Sequence, residues 1–252
     1  MNREIGQPGT VTWLGHGSLL LATTSGTRVV FDPWLEGNPA CPFGVADLGP
    51  VDAIAVTHGH FDHIGSVEPL AEATGATVVS TPEMSAYFAS RGIGELVEMN
   101  KGGTVVVGDV HLTMVAADHS CGVAVGDGQP NVYGGDPVGF IARSPGSDDA
   151  PIYVSGDTNV FGDMRLIRDL YAPEIGFFPI DGHYNMGPRE AALAVELLGL
   201  SRAVPIHFGT FPLLAGTPEE LTGEVRGRTS ATEVVVIEPG GTVPIVGRTD
   251  AS

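Results

Sequence analysis

The chain of 252 residues is long enough to bury a substantial hydrophobic core, and no repeat or low-complexity linker divides it, so we expect one domain over residues 1–252. Its formal charge of −18 at pH 7, with eleven Arg and one Lys, disfavours nucleic acid as a partner. No early segment has the apolar length of a signal peptide or a membrane span, so we expect a cytoplasmic protein without a membrane partner. Cys41 and Cys121 form no CxxC pair, which argues against a zinc ribbon or a dithiol redox motif.

Strands and helices are predicted to alternate along the chain, after an initial hairpin and with a second hairpin in the middle. The predicted strands cover residues 11–22, 28–34, 53–56, 77–80, 105–107, 110–115, 138–143, 151–154, 175–180, 203–206, 233–238 and 242–246. The predicted helices cover residues 66–73, 82–91, 162–171, 188–198 and 217–227. Residues 36–50 and 122–137 are rich in Gly and predict loops. This order favours an α/β fold in which strands are buried against helices.

A dense set of ligand-type side chains follows the predicted strand at residues 53–56. His58, His60, Asp62 and His63 bring three imidazoles and one carboxylate into six residues. In open α/β sheets, ligands bind beyond the carboxyl ends of the strands. A single histidine is more often a hydrogen-bonded surface or core residue, but this density predicts a metal site.

Three later strands are also followed by a histidine or an aspartate, namely His119, Asp157 and His207. One catalytic zinc ion takes three protein ligands and a water, so seven donors are too many for one ion and fit two. A pair of ions about 3.5–4 Å apart lowers the pKa of a water molecule between them and polarises the bond under attack. The sequence therefore predicts hydrolysis by a metal-activated water. The Cys-free donor set suits Zn, Mn, Fe, Ni or Co about equally.

Each of three further residues has two possible roles. His16, between two glycines, is either part of the wall of the site or a strand residue bonded to a backbone carbonyl. Asp32 ends a predicted strand and is expected to be a structural acceptor or a partner of a ligand, and the alternative is that it is itself a metal ligand. Arg189, at the start of a predicted helix, either holds an anion or is a solvated charge.

The motif HxHxDH at residues 58–63 resembles that of the metallo-β-lactamase-fold hydrolases. Residues 13–16, 117–120, 155–158, 186–188 and 205–212 resemble the branch that contains the UPF0173 metal-dependent hydrolases and the L-ascorbate-6-phosphate lactonase-like proteins. The resemblance implies a four-layer αββα sandwich with a dimetal site in the cleft between two β-sheets. It also implies that His58, His60 and His119 hold the first metal, that Asp62, His63 and His207 hold the second, and that Asp157 bridges both.

Residues 181–186 depart from the family's pattern, in which a shorter run is common. The departure predicts that His183 or Tyr184 faces the substrate. His183 is the better candidate to protonate the leaving group, because histidine titrates near pH 7, and the alternative is a loop histidine that faces solvent. With the metal ligand Asp62, His183 completes the predicted catalytic residues.

The leading hypothesis is a metal-dependent hydrolase that uses two divalent ions on a small ester, lactone or phosphoester. Zn²⁺ is expected first, with Mn²⁺, Fe²⁺ or Ni²⁺ as alternatives, and a homo-oligomer is compatible with the sequence. One alternative is a di-iron redox protein of the same fold, which His60 disfavours because that use typically replaces a motif histidine with a carboxylate. The other is a non-catalytic, metal-stabilised binding protein, which the Cys-free donor set disfavours.

Overall fold

The computed structural model describes residues 5–126 and 128–246. The strands are β1 (Thr10–Gly15), β2 (Ser18–Ala22), β3 (Arg28–Phe31), β4 (Ala53–Ala55), β5 (Thr77–Ser80), β6 (Leu96–Glu98), β7 (Thr104–Val107), β8 (Val110–Ala116), β9 (Gly122–Val123), β10 (Val132–Tyr133), β11 (Val138–Arg143), β12 (Ile152–Val154), β13 (Ile175–Pro179), β14 (Arg202–Ile206), β15 (Glu233–Val234) and β16 (Thr242–Pro244). The helices are α1 (Phe61–Ile64), α2 (Val67–Thr74), α3 (Pro82–Ser90), α4 (Met164–Tyr171), α5 (Pro188–Leu198) and α6 (Pro218–Arg228). The predicted single domain also includes residues 1–4, 127 and 247–252, which lie outside the described residues, and it stays a prediction.

Local signals in the sequence explain where the longer helices begin and end. Proline stands at the first turn of α3, α5 and α6, where its missing N–H costs no hydrogen bond. Thr217 caps α6 by accepting a hydrogen bond from the backbone N–H of Glu220, and the Glu220 carboxylate accepts one from the backbone N–H of Thr217. Gly199 ends α5 in the left-handed conformation.

Two seven-stranded sheets form the centre of the molecule. The strand order is β16-β1-β2-β3-β4-β5-β6 in one sheet and β15-β14-β13-β12-β11-β8-β7 in the other. Strands β3 to β6 are parallel in the first sheet, and strands β12 to β15 are parallel in the second. Each sheet continues into an antiparallel part, as mixed sheets commonly do.

The two sheets and the helices on their outer faces form four layers, and a hydrophobic cluster lies between each pair of adjacent layers. The first cluster lies between the two sheets and includes Phe31 and Phe140, one from each sheet. The second packs the outer face of the first sheet against α2 and α3, and the third packs the outer face of the second sheet against α4, α5 and α6. Burial of a sheet on both faces removes much apolar surface from water and stabilises the stack. The predicted αββα sandwich is confirmed.

The local predictions fail where tertiary contacts override the pattern. Residues 11–22 are not one strand, because the chain reverses at His16 and Gly17 and forms the hairpin β1–β2. The predicted loop over residues 122–137 contains the short ribbon β9–β10. Strand β6 at the sheet edge and the one-turn helix α1 have no counterpart among the predicted elements.

Backbone hydrogen bonds join the two sheets where the ligand-bearing strands end. The N–H of Val138, at the start of β11, donates to the carbonyl of Thr57 beyond β4. The N–H of His207, beyond β14, donates to the carbonyl of His16 in the β1–β2 turn. These bonds hold the polar residues that follow the strands of both sheets at one edge of the sandwich. Within the part of the chain that the structure describes, every helix is too short or too polar to cross a bilayer.

Candidate metal centre

All seven predicted metal ligands lie together at the edge of the sandwich where hydrogen bonds join the two sheets. Two groups of donor atoms contain all seven, a third group joins His58 and His63 to Asp32, and within each group the atoms lie within 4.8 Å of one another. The first group consists of His58, His60, His119 and Asp157. The second consists of Asp62, His63 and His207, with His16 as a fourth member. Strand ends from both sheets contribute to each group, so the cluster depends on the whole sandwich.

Asp157 stands between the two groups. Its Oδ2 atom lies 3.7 Å from His119 Nε2 and 4.0 Å from His58 Nε2. Its Oδ1 atom lies 3.2 Å from His63 Nε2 and 3.4 Å from His207 Nε2. One carboxylate therefore presents a different oxygen to each group, which is the arrangement that a bridging ligand requires.

Asp32 fixes the ring of His63 from outside the cluster. Its carboxylate accepts hydrogen bonds from the backbone N–H and the hydroxyl of Thr57, at 2.7 and 2.6 Å, and lies 2.9 Å from His63 Nδ1. A carboxylate on one ring nitrogen sets the tautomer and orientation of a histidine, so that the other nitrogen faces a metal. Asp32 is thus a structural acceptor and a partner of a predicted ligand, as the sequence suggested.

The backbone is strained at three residues of the site. His16, Asp32 and His207 have positive φ angles of 53°, 47° and 57°, in the left-handed region that non-glycine residues rarely adopt. Each such residue costs on the order of 1–3 kcal/mol, and strain of this kind concentrates at functional sites. The fold thus stabilises strained turns that place side chains at the strand ends.

His16 is fully buried inside the site, although the sequence left its role open. Its Nε2 atom lies 2.9 Å from Asp62 Oδ2, and its Nδ1 atom lies 2.9 Å from Thr210 Oγ1. The His63 ring lies so close to the backbone at position 17 that only glycine fits there, because an added Cβ would lie 2.7 Å from the ring. The Gly-His-Gly sequence was the available signal for this residue.

Asp181 supports His207 and organises the loop that follows β13. Its Oδ2 atom lies 3.2 Å from His207 Nδ1. Its Oδ1 atom accepts hydrogen bonds from the backbone N–H groups of His183 and Tyr184, both at 2.8 Å. The sequence prediction treated Asp181 only as a loop residue and missed this role, although it directly follows a strand.

The other candidates from the sequence lie around the cluster rather than in it. The side chain of His183 is exposed, and its ring meets that of Tyr184 edge-on at 4.6 Å. Tyr184 contributes to the wall of the cavity over the donor groups, whereas His183 and Arg189 do not. Arg189 is exposed on the first turn of α5.

The charges of the cluster are strongly coupled. Burial lowers the pKa of His58 well below its ordinary value, and the neighbouring His63 adds to this effect. Burial likewise lowers the pKa of His60 and of His119. Neutral imidazoles are the form that binds metal, so the first group is set for binding near neutral pH.

The second group contains histidines whose pKa moves in the opposite direction. Burial opposes the positive charge of His63, but Asp157 and Asp32 outweigh it and raise the pKa of His63 well above its ordinary value. In the same way Asp157, Asp181 and Asp62 raise the pKa of His207 to about 9 against the effect of burial. Without metal, the buried carboxylates are thus balanced by protons on these two histidines.

The residues present fit a bound metal. His63 Nε2 and His207 Nε2 are buried and have no hydrogen-bond partner within the described chain, although a buried polar atom without a partner is costly. Both atoms face Asp157. A divalent cation would satisfy these nitrogens, and the imidazole and carboxylate donors suit Zn²⁺, Mn²⁺, Fe²⁺ or Ni²⁺.

Comparison with known proteins agrees with this description. Residues 27–208 match the family described as the Beta-lactamase superfamily domain. A UPF0173 metal-dependent hydrolase of Solibacter usitatus is 47% identical over 230 residues, which cover 91% of this chain and 97% of the relative. Igni18, a metallo hydrolase from the hyperthermophilic archaeon Ignicoccus hospitalis, is 30% identical and has a TM-score of 0.81 over 93% of this chain and 97% of that chain.

The fold also occurs with other chemistry. CmlA, a diiron beta-hydroxylase from Streptomyces venezuelae, has a TM-score of 0.72 at 14% identity, over 94% of this chain and 54% of that chain. At this identity the likeness shows the fold alone.

The αββα sandwich and its histidine-rich centre define a metal-dependent hydrolase of the metallo-β-lactamase fold. Within that superfamily, the chain belongs to the UPF0173 metal-dependent hydrolases. The family predicted from the motif HxHxDH is thereby confirmed, while the particular likeness to L-ascorbate-6-phosphate lactonases stays a prediction.

Proposed function

We propose that this hydrolase holds two divalent metal ions, with Zn²⁺ preferred over Mn²⁺, Fe²⁺ or Ni²⁺, and cleaves a small ester, lactone or phosphoester. The division of the Asp157 oxygens between two donor groups carries the proposal. When bound, such a pair of ions supplies an activated water and polarises the bond under attack. A small-molecule substrate, a cytoplasmic location and a homo-oligomer stay predictions.

The residues of the chain have distinct roles in this proposal. His58, His60 and His119 would hold the first ion, Asp62, His63 and His207 would hold the second, and Asp157 would donate to both. Asp62 also lines the cavity, where its carboxylate orients the attacking water by accepting a hydrogen bond. Asp32 and Asp181 keep two of the ligand rings in place. As the water oxygen adds to the substrate, the bond to the leaving oxygen breaks and that oxygen takes up a proton.

A substrate screen tests the proposed function. Protein loaded separately with Zn²⁺ and Mn²⁺ is offered lactones, acyl esters and phosphodiesters, and the metal content is measured on the same sample. We expect turnover of at least one of these classes that depends on the amount of bound metal. Absence of turnover in all three classes, with two equivalents of metal bound, would contradict the proposal.

The leaving group takes its proton from His183 or from water, and His183, which is exposed beside the cavity and does not line it, is the donor that a substitution can test. If His183 is the donor, its replacement by alanine should lower kcat about 10²-fold with little change in KM. The exchange leaves the backbone hydrogen bond from residue 183 to Asp181 intact. The decrease in kcat should be smaller for substrates with a good leaving group, because such a group needs no protonation. His111→Ala, on strand β8 outside the centre, is the matched control. An unchanged kcat for a poor leaving group would assign the protonation to water.

A further inference from the structure

A cavity of about 670 Å³ opens over the donor groups. This is the size of an ordinary small-molecule site. Its floor contains six donor residues of the centre, and the rest of its lining comes mainly from two short segments of chain, residues 120–124 and 211–214. The lining residues other than the donors therefore decide which chemical groups a substrate can carry next to the bond that is cleaved.

Most of that lining is apolar. It includes Phe61, Tyr184, Phe211, Pro212, Leu213 and Leu214. The side chains of Phe61 and Leu213 are 60% and 55% exposed. Large apolar side chains grouped in water mark a binding surface, because soluble proteins otherwise leave few such groups together.

The aromatic part of this lining is held in place from behind by Trp34. The Trp34 ring is buried, stacks on Phe211 at 6.1 Å and meets Phe61 edge-on at 5.5 Å. Gly65 allows this position, since an added Cβ would lie 2.8 Å from Trp34 Cδ1. A surface that is ordered before binding loses little conformational entropy when a ligand arrives.

Apart from the histidines of the donor groups, the described part of the chain gives the cavity no basic side chain. Among its lining residues in the described chain there is neither lysine nor arginine, and the carboxylates of Asp62 and Asp157 are part of it. The single lysine, Lys101, is paired with Asp136 at 2.6 Å. A phosphate or carboxylate on a remote part of the substrate would find no charged hydrogen-bond donor and would meet the field of a chain with a net charge of −18.

Building on the proposed function, we propose that the substrate is an uncharged ester or lactone that carries an apolar chain or ring. The carbonyl lies at the donor groups, and the apolar part lies against the lining formed by Phe61, Phe211 and Leu213. Ser120 and Asn131 provide the polar contacts available beside it. Substrates with a phosphate away from the scissile bond are excluded.

Binding of hydrolysis-resistant probes tests this inference without turnover. The probes are γ-butyrolactams with ethyl, butyl, hexyl or octyl substituents, and a butyl lactam that ends in a phosphate. Calorimetry on the Zn²⁺-loaded protein should give a Kd that falls about threefold for each added methylene until the apolar lining is covered. The phosphorylated probe should bind at least tenfold more weakly than the butyl probe.

Leu213→Ala should raise the Kd of the octyl lactam five- to tenfold and leave that of the ethyl lactam unchanged. Leu166→Ala is the control, because Leu166 lies on α4 outside the cavity and is equally exposed, at 54%. Affinity that does not change with chain length, or equal binding of the phosphorylated probe, overturns the inference. If the lactams bind as expected but no ester, lactone or phosphodiester is cleaved, the proposed function fails while the apolar site stands.

Discussion

Replacement of Asp157 by alanine is expected to remove bound metal and hydrolytic activity together. One oxygen of Asp157 lies 3.7 Å from His119 Nε2 and the other lies 3.2 Å from His63 Nε2. Its loss therefore removes the carboxylate of the first group and also the oxygen that faces His63 and His207 of the second group. Turnover should fall by at least about 10³-fold, equivalent to about 4 kcal/mol of transition-state stabilisation. Elemental analysis of the purified variant should find less metal per chain.

Two further variants make the result specific. Asp157→Asn keeps the shape of the side chain, so a folded protein is available even if the alanine variant is unstable. Asp32→Asn changes a carboxylate that is equally buried but contacts His63 from outside the centre. It should lower activity or metal affinity only 10–100-fold. Full metal content and unchanged activity in Asp157→Asn would remove Asp157 from the centre.

Removal of the metal by a chelator is expected to abolish activity and leave the protein folded. The three hydrophobic clusters of the sandwich contain none of the donor residues, and together they bury the faces of both sheets. The hydrogen bonds from Thr57 to Asp32 form within the chain itself. Structural zinc sites behave differently, because there the metal supplies the free energy of folding. Circular dichroism before and after chelation, with activity restored by Zn²⁺, measures the difference.

The pKa of His207 adds a dependence on pH to the metal-free protein. Nearby carboxylates raise this pKa to about 9, above the value of about 6.5 for an unfolded histidine. The resulting stabilisation is fully present below about pH 6.5 and is lost as the pH rises through about 9. Metal-free protein should thus have a lower Tm at pH 9.5 than at pH 7.

In the chelation experiment itself, complete unfolding of the protein at pH 7 would contradict the expected catalytic role and favour a structural role for the metal.

Elements that depend on local signals agree closely with their predictions. The predicted helix 188–198 is α5, and the predicted strands 77–80 and 138–143 are β5 and β11. In each case the pattern of apolar residues and the residues at the ends act within a few positions of each other. The break of residues 11–22 at His16 is different, because it depends on contacts with residues remote in the sequence. The His16 ring meets Thr210, 194 residues further along the chain.

The family could be recognised from the sequence because its motif lies on one short turn and because each later donor directly follows a strand. The roles of Asp32 and Asp181 toward specific histidine rings required coordinates, since a carboxylate at a strand end has many equivalent partners in sequence. The same is true of Trp34, which supports two aromatic side chains of the cavity from separate segments.

The sequence by itself determined the α/β class and the set of candidate donors, because strand and helix periodicity and the spacing of the histidines are local properties. The family followed from the resemblance of its motifs, which are also local. Only the tertiary structure decided that His16 joins one group of those donors, that Asp32 and Asp181 each approach one histidine ring, and that a largely apolar cavity without lysine or arginine covers the donors within the described chain. The physical reason is that these features arise where the ends of two sheets meet. There the distance between side chains is set by the packing of the sandwich and not by their separation along the chain.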